Sequence, residues 1–374
     1  MGAKKAIKRC GGTSHLQSGA DMALPLILIS SVILSLSYIA DLLNAGATEA
    51  GIGETSSISQ FLYGIGSIIS DTVYPLIAAG VAVSICGRRG FWAGITGGIL
   101  TGSGVTLSYP LGDFSAMSGL WGSVAIGFAA GRICELTDGL LLSKERKSGI
   151  LTALSFTLSF LLTAGVAIVL DNLCYIINIW SSSGLAVISR VSFTFVALLL
   201  GIMMNADVSG PMYLAGYIFG TASISTGDPE IMASVMATAV IPPISIGLCA
   251  LVFRSRFTEK ERYCAYIGLL CGICGITQSA VYHYLKRPLR TALPCIVGGV
   301  VASMLSMMFQ CSVSLPAGGL LIIGAVSNPL YFLLSVLCGV FTATTIMGLL
   351  LRPAESHKES KTEDTQMQTQ STTA

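Results

Sequence analysis

Long apolar segments recur along almost the whole chain, from residue 22 to residue 351. A helix needs about 20 such residues to cross a bilayer, whereas a membrane strand alternates apolar and polar residues, and the sequence lacks that alternation. Only 11% of the 374 residues are charged, against about 25% in soluble domains. These features predict an all-α polytopic membrane protein with about 8–10 transmembrane helices plus re-entrant hairpins.

Basic residues precede the first apolar segment, residues 22–43. That segment is longer than the apolar core of a signal peptide, which has about 7–15 residues, so we interpret it as a first span. Since Lys and Arg collect on the cytoplasmic side, residues 1–20 are expected to form a cytoplasmic N-terminal segment. Residues 351–374 are polar and predict a disordered cytoplasmic tail, which places both termini in the cytoplasm.

Residues 264–290 are apolar enough to enter a membrane, yet basic residues flank them on both sides: Arg254, Arg256, Lys260 and Arg262 before, and Lys286, Arg287 and Arg290 after. An ordinary span would place one of the two basic flanks on the non-cytoplasmic side, against the tendency of Lys and Arg to collect in the cytoplasm. A re-entrant segment that turns near residues 275–278 keeps both flanks on one side. Because non-helical backbone at membrane depth must be buried in protein or line a wet cavity, this segment is a candidate binding site.

Asp207 lies between an apolar helix and a Ser-Gly-Pro break at residues 209–211. A polar residue at a break in a membrane helix is typical of a substrate contact. An acid in a loop can also cap the next helix. The sequence leaves both interpretations open.

The eleven cysteines are scattered through apolar segments, and Cys271 and Cys274 form a CxxC pair. Such a pair can indicate redox chemistry or a metal, but no second pair or histidine cluster accompanies it, so packing is the favoured interpretation. We predict no metal and no cofactor.

Glycines spaced four apart at residues 90–102 lie on one face of a helix and predict a close helix contact. A phosphate-binding loop is the alternative, but the Lys-Ser/Thr that it requires is missing. No basic patch with aromatics points to nucleic acid.

Several motifs occur in a fixed order: GIMMNADVSGP at 201–211, VIPP at 240–243, RFTEKER at 256–262, GIT at 275–277 and PLR at 288–290. Taken together, they resemble the fructose-type membrane subunit (EIIC) of the bacterial phosphoenolpyruvate-dependent sugar phosphotransferase system. The resemblance extends over about residues 15–351.

The resemblance implies a permease subunit in the bacterial inner membrane that translocates a hexose or polyol for phosphorylation by a separate IIB protein, supplied by IIA. It implies an EIIC-type domain at 21–350 in the lipid bilayer, as a homodimer. Residues 21–170 would form the interface half, and residues 171–350 the substrate half, with hairpins near 264–290 and 314–330. No phosphate-accepting domain is expected in the chain, so its status as an enzyme stays open.

The sequence departs from the family at the hairpin tips, where Gln278 replaces a glutamate and Ala317 replaces a histidine. A glutamine donates and accepts hydrogen bonds but cannot act as a base, and losing a base typically costs about 10²–10⁴-fold in rate. No catalytic residue is therefore assigned. The predicted substrate-binding residues are Thr277, Gln278, Asp207 and His283, although His283 would alternatively lie at the wet end of the hairpin.

Two other functions remain open. The first is a degenerate EIIC-like protein that binds or facilitates a substrate, or acts as a sensor or assembly partner, without phosphotransfer; the lost glutamate and histidine favour it. The second is a redox or metal enzyme built on Cys271 and Cys274, which has only the CxxC pair in its favour.

Overall fold

The computed structural model describes residues 12–45, 53, 55–102, 119–141, 149–189, 192–208, 210–315 and 319–351. Within these ranges the chain forms thirteen α-helices and short 3₁₀ segments, with no strand. The all-α prediction is therefore confirmed. Most of the predicted N-terminal segment, and the predicted tail after Leu351, lie outside the described residues.

The helices of the first half are α1 (Gly12–Ala45), α2 (Ser57–Cys86), α3 (Arg88–Gly102), α4 (Gly119–Leu141) and α5 (Gly149–Ser189). Those of the second half are α6 (Phe193–Ala206), α7 (Pro211–Thr226), α8 (Pro229–Ala239), α9 (Ile241–Val252), α10 (Glu259–Ile273), α11 (Val281–Lys286), α12 (Pro288–Met308) and α13 (Pro329–Leu350). Pro residues begin α7, α8, α12 and α13, where the missing N–H costs nothing.

Six segments of the described chain are long and apolar enough to cross a membrane: α1, α2, α5, α8 together with α9, α12 and α13. Helix α6 is apolar but has only 14 residues. A chain with this many apolar helices is a multi-pass membrane protein. Six candidate spans are fewer than the predicted eight to ten, a number that also included the regions of α4 and α6.

Helix α5 runs without a break over 41 residues. The sequence alone predicts a span over residues 149–170, followed by a segment at 171–190 that lies along the membrane interface because its apolar residues recur at helical spacing. That interpretation is wrong, because no Pro interrupts the helix and Asp171 continues the buried face of Ser159, Thr163 and Ala167 at four-residue spacing. The predicted boundary between the two halves therefore falls inside α5.

The glycine stripe of α3 allows this helix to pack closely on α2. A Cβ atom added at Gly94 would lie 2.8 Å from the carbonyl oxygen of Ala78, and one at Gly98 would lie 2.6 Å from Cα of Pro75. Small residues let helix backbones approach in a membrane. The close contact predicted from the sequence is thus made within the chain, between α3 and α2.

In the second half, glycines likewise allow a close backbone approach where α12 crosses α13. A Cβ atom at Gly298 would lie 2.5 Å from the carbonyl oxygen of Gly339, and one at Gly339 would lie 2.6 Å from that of Gly298. Helix α8 is buried along residues 231–239. These tightly packed helices form the frame that holds the segment between α9 and α12.

Candidate functional site

The segment between α9 and α12 folds as a broken hairpin. Its first arm, α10, begins with a capping box in which Thr258 and Glu261 satisfy each other's backbone N–H groups. The arm ends before Gly275, whose φ of 83° is a conformation that glycine adopts at little cost. A 3₁₀ turn at Gln278–Ala280 then leads into the short second arm, α11.

The two arms run back along each other. A Cβ atom at Gly268 would lie 3.0 Å from the Ser279 hydroxyl. Further from the tip, the His283 ring nitrogen Nε2 lies 3.1 Å from the Glu261 carbonyl oxygen, and Arg287 Nη2 lies 3.2 Å from the Glu261 carboxylate. The two basic flanks therefore lie at the same end of the hairpin, as a re-entrant segment requires.

A second irregular segment meets the tip of this hairpin. It is a 3₁₀ helix over Gly319–Ala325 that precedes α13. A Cβ atom added at Gly319 would overlap the backbone of Gly275, so the two segments touch at their glycines. Ala317, the position at which the family carries a histidine, lies outside the described residues.

Gln278 is anchored to α2 by two hydrogen bonds. Its Oε1 accepts a hydrogen bond from the Ser70 hydroxyl at 2.7 Å, and its Nε2 donates to the Ser70 carbonyl oxygen at 3.3 Å. Gln278 is 6% exposed. The neighbouring Asp71 of α2 is exposed. No motif singled out Ser70, which lies 208 positions from its partner.

Thr277 lies at the same tip and is also buried. Its side chain lies near that of Tyr213 of α7. Thr277 and Gln278 are thus brought together, with one facing α7 and the other α2. The tip presents a threonine hydroxyl and a glutamine amide at the point where the two irregular segments meet.

Asp207 lies at the break between α6 and α7 and is 6% exposed. Its Oδ2 accepts a long hydrogen bond of 3.4 Å from the Met212 N–H at the start of α7, whereas Oδ1 has no hydrogen-bond partner among the described residues. The carboxylate lies over Gly210, where a Cβ atom would overlap it. One oxygen therefore caps α7, as one interpretation of the sequence predicted, and the role of Asp207 as a substrate contact stays a prediction.

The Asp207 break is connected to the hairpin through its neighbours. The Tyr284 hydroxyl of α11 donates to the Asn205 carbonyl oxygen at 2.9 Å, and the indole N–H of Trp121 donates to the Ala206 carbonyl oxygen at 3.3 Å. Because Asn205 is two residues before Asp207, the acid is held close to α11. The sequence carried no sign of Tyr284 or Trp121.

His283 is separated from the tip. It lies at the base of the hairpin, 4% exposed, beside the ion pair between Glu261 and Arg287. The expectation of a wet position is wrong, because α10 and α11 close over the ring. Its Nδ1 has no partner among the described residues. The structure therefore does not group His283 with Thr277 and Gln278.

Two cavities lie near or beyond this region. A gap between the arms, lined by Ser279, His283 and Cys264 among others, is too narrow to admit a water molecule, whereas a small-ligand pocket has roughly 300 Å³. A larger cavity of about 520 Å³ lies against Trp180 on α5, away from the polar tip.

Removing the Ser70 to Gln278 contact is expected to loosen the tip. Ser70→Ala and Gln278→Ala should each lower the free energy of unfolding by about 1 kcal/mol, the value of a typical hydrogen bond. The double variant should cost less than the sum, because both changes remove the same contact. Denaturant unfolding of the purified protein in detergent measures this. Strictly additive losses would contradict the contact.

No family model matches the sequence. The chain is 24% identical over 343 residues to the "PTS system fructose-specific EIIABC component" of Bacillus subtilis (strain 168), covering 91% of this chain and 52% of that protein. It is 26% identical over 304 residues to the "Fructose permease IIC component" of Bacillus amyloliquefaciens, covering 79% of this chain and 96% of that protein.

A third relative is the "PTS system fructose-specific EIIC component" of Haloferax volcanii, 24% identical over 357 residues, covering 90% of this chain and 92% of that protein. The chain spans about half the length of the Bacillus subtilis and Mycoplasma pneumoniae EIIABC relatives, and nearly all of the two IIC relatives. The resemblance seen in the motifs is therefore confirmed, and the chain is a relative of the fructose-type EIIC membrane components of the phosphotransferase system.

Proposed function

We propose that this chain is the membrane-embedded sugar permease subunit (EIIC) of a fructose-like phosphotransferase system. In this proposal it translocates a hexose or polyol that a separate IIB protein phosphorylates. The observation that carries the proposal is the hairpin tip, where Gln278 is hydrogen-bonded to Ser70 of α2 and Thr277 lies near Tyr213 of α7. The names of the relatives, which are fructose permeases, point to the sugar class.

The tip has the chemistry that a sugar needs. Sugar hydroxyls both donate and accept, and Gln278 and Thr277 each offer a donor and an acceptor. Oδ1 of Asp207, which has no hydrogen-bond partner among the described residues, adds an acceptor. When the phosphate is transferred, the accepting hydroxyl must lose its proton. Because Gln278 cannot take it and His283 lies at the hairpin base, we assign this role to Asp207.

The proposed setting is the bacterial inner membrane, with both termini in the cytoplasm and with IIA and IIB as soluble partners. The grouping of Lys286 and Arg287 with Arg256 at the hairpin base supports a cytoplasmic position for that end. We further propose a homodimer formed by the first half of the chain, with the second half carrying the substrate.

A direct test uses membranes that contain the protein, phosphorylated IIA and IIB proteins, and a panel of labelled hexoses and polyols. We expect one sugar to appear as its phosphate inside the vesicles, and Asp207→Asn to reduce its formation by about 10²-fold, as loss of a base does. Gly165→Ala, at a position with open space around it, is the control. No sugar phosphate from any member of the panel, with an active relative working in parallel, would refute the proposal.

The second candidate is a degenerate EIIC-like protein that binds or facilitates a sugar, or serves as a sensor or assembly partner, without phosphotransfer. It is favoured by the amide of Gln278, which stands at the tip in place of the family's acid and is satisfied by Ser70. This candidate requires binding or uptake that persists when the phosphate donor is removed. Uptake that stops without the donor would exclude it.

A further inference from the structure

A group of metal-ligating side chains lies apart from the hairpin, where the end of α2 meets α4. Cys86 is the last residue of α2, and Cys134 and Asp138 lie one turn apart on α4. The two sulfur atoms and a carboxylate oxygen of Asp138 all lie within 4.8 Å of one another. Because the residues come from distant parts of the chain, no sequence motif pointed to them.

The three side chains can reach the geometry of a single ion after a small movement of one of them. The two Sγ atoms lie 2.8 Å apart, and neither cysteine forms a disulfide in the structure. Cys86 Sγ lies 3.9 Å from Asp138 Oδ2. Zn²⁺ bonds sulfur at about 2.3 Å and carboxylate oxygen at about 2.0–2.2 Å in a tetrahedron. A rotation of the half-buried Cys86 side chain that separates the sulfurs by about 1 Å reaches this geometry.

The carboxylate is already oriented towards the sulfurs. Its Oδ1 accepts hydrogen bonds from Arg89 Nη1 at 2.7 Å and from the Ser155 hydroxyl at 2.8 Å, which leaves Oδ2 facing Cys86. Outer hydrogen bonds of this kind hold metal ligands in position. Two thiolates and one carboxylate balance the charges of Zn²⁺ and Arg89. Cys134 is 2% exposed, whereas the Asp138 side chain is 27% exposed, so the group can be reached from water.

We propose that Cys86, Cys134 and Asp138 form a binding site for a thiophilic divalent cation such as Zn²⁺, with water as the fourth ligand. The bound ion joins the end of α2 to α4 and so stiffens the first half of the chain. The site is independent of sugar transport, because none of its ligands belongs to the hairpin or to the Asp207 break.

The test uses the full-length protein, purified in detergent with its thiols reduced, and titrated with Zn²⁺ and with Co²⁺. We expect one ion per chain, and for Co²⁺ the near-ultraviolet absorption of a cobalt–thiolate bond. The double variant Cys86→Ser/Cys134→Ser should lose both signals. The matched control Cys271→Ser/Cys274→Ser, which changes another cysteine pair, should keep them. Gel filtration verifies that each variant is folded.

Two milder variants keep the test decisive if the double variant fails to fold. Asp138→Asn should weaken binding while retaining the cobalt–thiolate absorption, and Ser155→Ala should weaken it by about 10- to 100-fold, as loss of an outer partner does. Absence of binding by the reduced protein would overturn the proposal. So would binding that survives the loss of Cys86 and Cys134, or that disappears in the Cys271/Cys274 control.

Discussion

Glu261→Gln is expected to lower the free energy of unfolding by about 3 kcal/mol, because it leaves the Arg287 guanidinium beside a neutral partner in a largely buried site. The Glu261 side chain is 6% exposed and that of Arg287 is 22% exposed. Uptake should be lost in parallel, since this pair joins the base of α10 to the base of α11. Thermal unfolding in detergent and uptake by membrane vesicles measure the two effects.

Glu261 also completes the start of α10. Its carboxylate accepts from the backbone N–H of Thr258 at 2.8 Å, and Arg287 Nη1 donates to the Arg256 carbonyl oxygen at 2.9 Å. Because a glutamine oxygen can still accept the hydrogen bond from Thr258, the variant removes the charge of the ion pair and keeps the cap. The pair connects the two basic flanks that first suggested re-entry.

Glu259→Gln is the matched control, in the same turn of α10. Its side chain is 84% exposed and lies 3.7 Å from Arg262, so the change should alter stability by no more than about 0.5 kcal/mol. If Glu259→Gln and Glu261→Gln lower the free energy of unfolding equally, the negative charge of the first turn of α10 matters and the buried ion pair between Glu261 and Arg287 does not.

Gly319→Ala is expected to separate the two hairpin tips. Alanine at a φ of 56° costs roughly 1–2 kcal/mol, and the added Cβ overlaps the Gly275 backbone, which costs about 1–3 kcal/mol more. We expect a lower unfolding temperature and a loss of sugar uptake. Both are measured on the same preparation.

Gly227→Ala is the control that separates the effect of backbone strain from the effect of the Cβ overlap. Gly227 also has a positive φ, of 95°, but nothing lies within 4 Å of its Cβ position. Its substitution therefore adds backbone strain without a clash at a tip. Uptake should survive in this control. If both variants transport alike, the contact between the tips has no part in function.

The chemistry of the site was only partly visible in the sequence. Thr277 and Gln278 were predicted from the hairpin motif, and they do lie together at a tip. Their roles as substrate contacts stay predictions, as do those of Asp207 and His283. Spacing along the sequence did not predict the position of His283. Only five positions separate it from Gln278, yet α11 places it at the base of the hairpin, beside the Glu261 carbonyl oxygen.

The sequence by itself determined the membrane class and the helical architecture, and it predicted that residues 264–290 fold back on themselves. Apolar length and the placement of basic residues decide how a segment partitions between lipid and water, and both can be counted along the chain. Only the tertiary structure decided that Ser70 holds Gln278, that Gly319 meets Gly275, and that Cys86 approaches Cys134. These contacts depend on how closely particular helices pack, which side chains separated by many residues determine together.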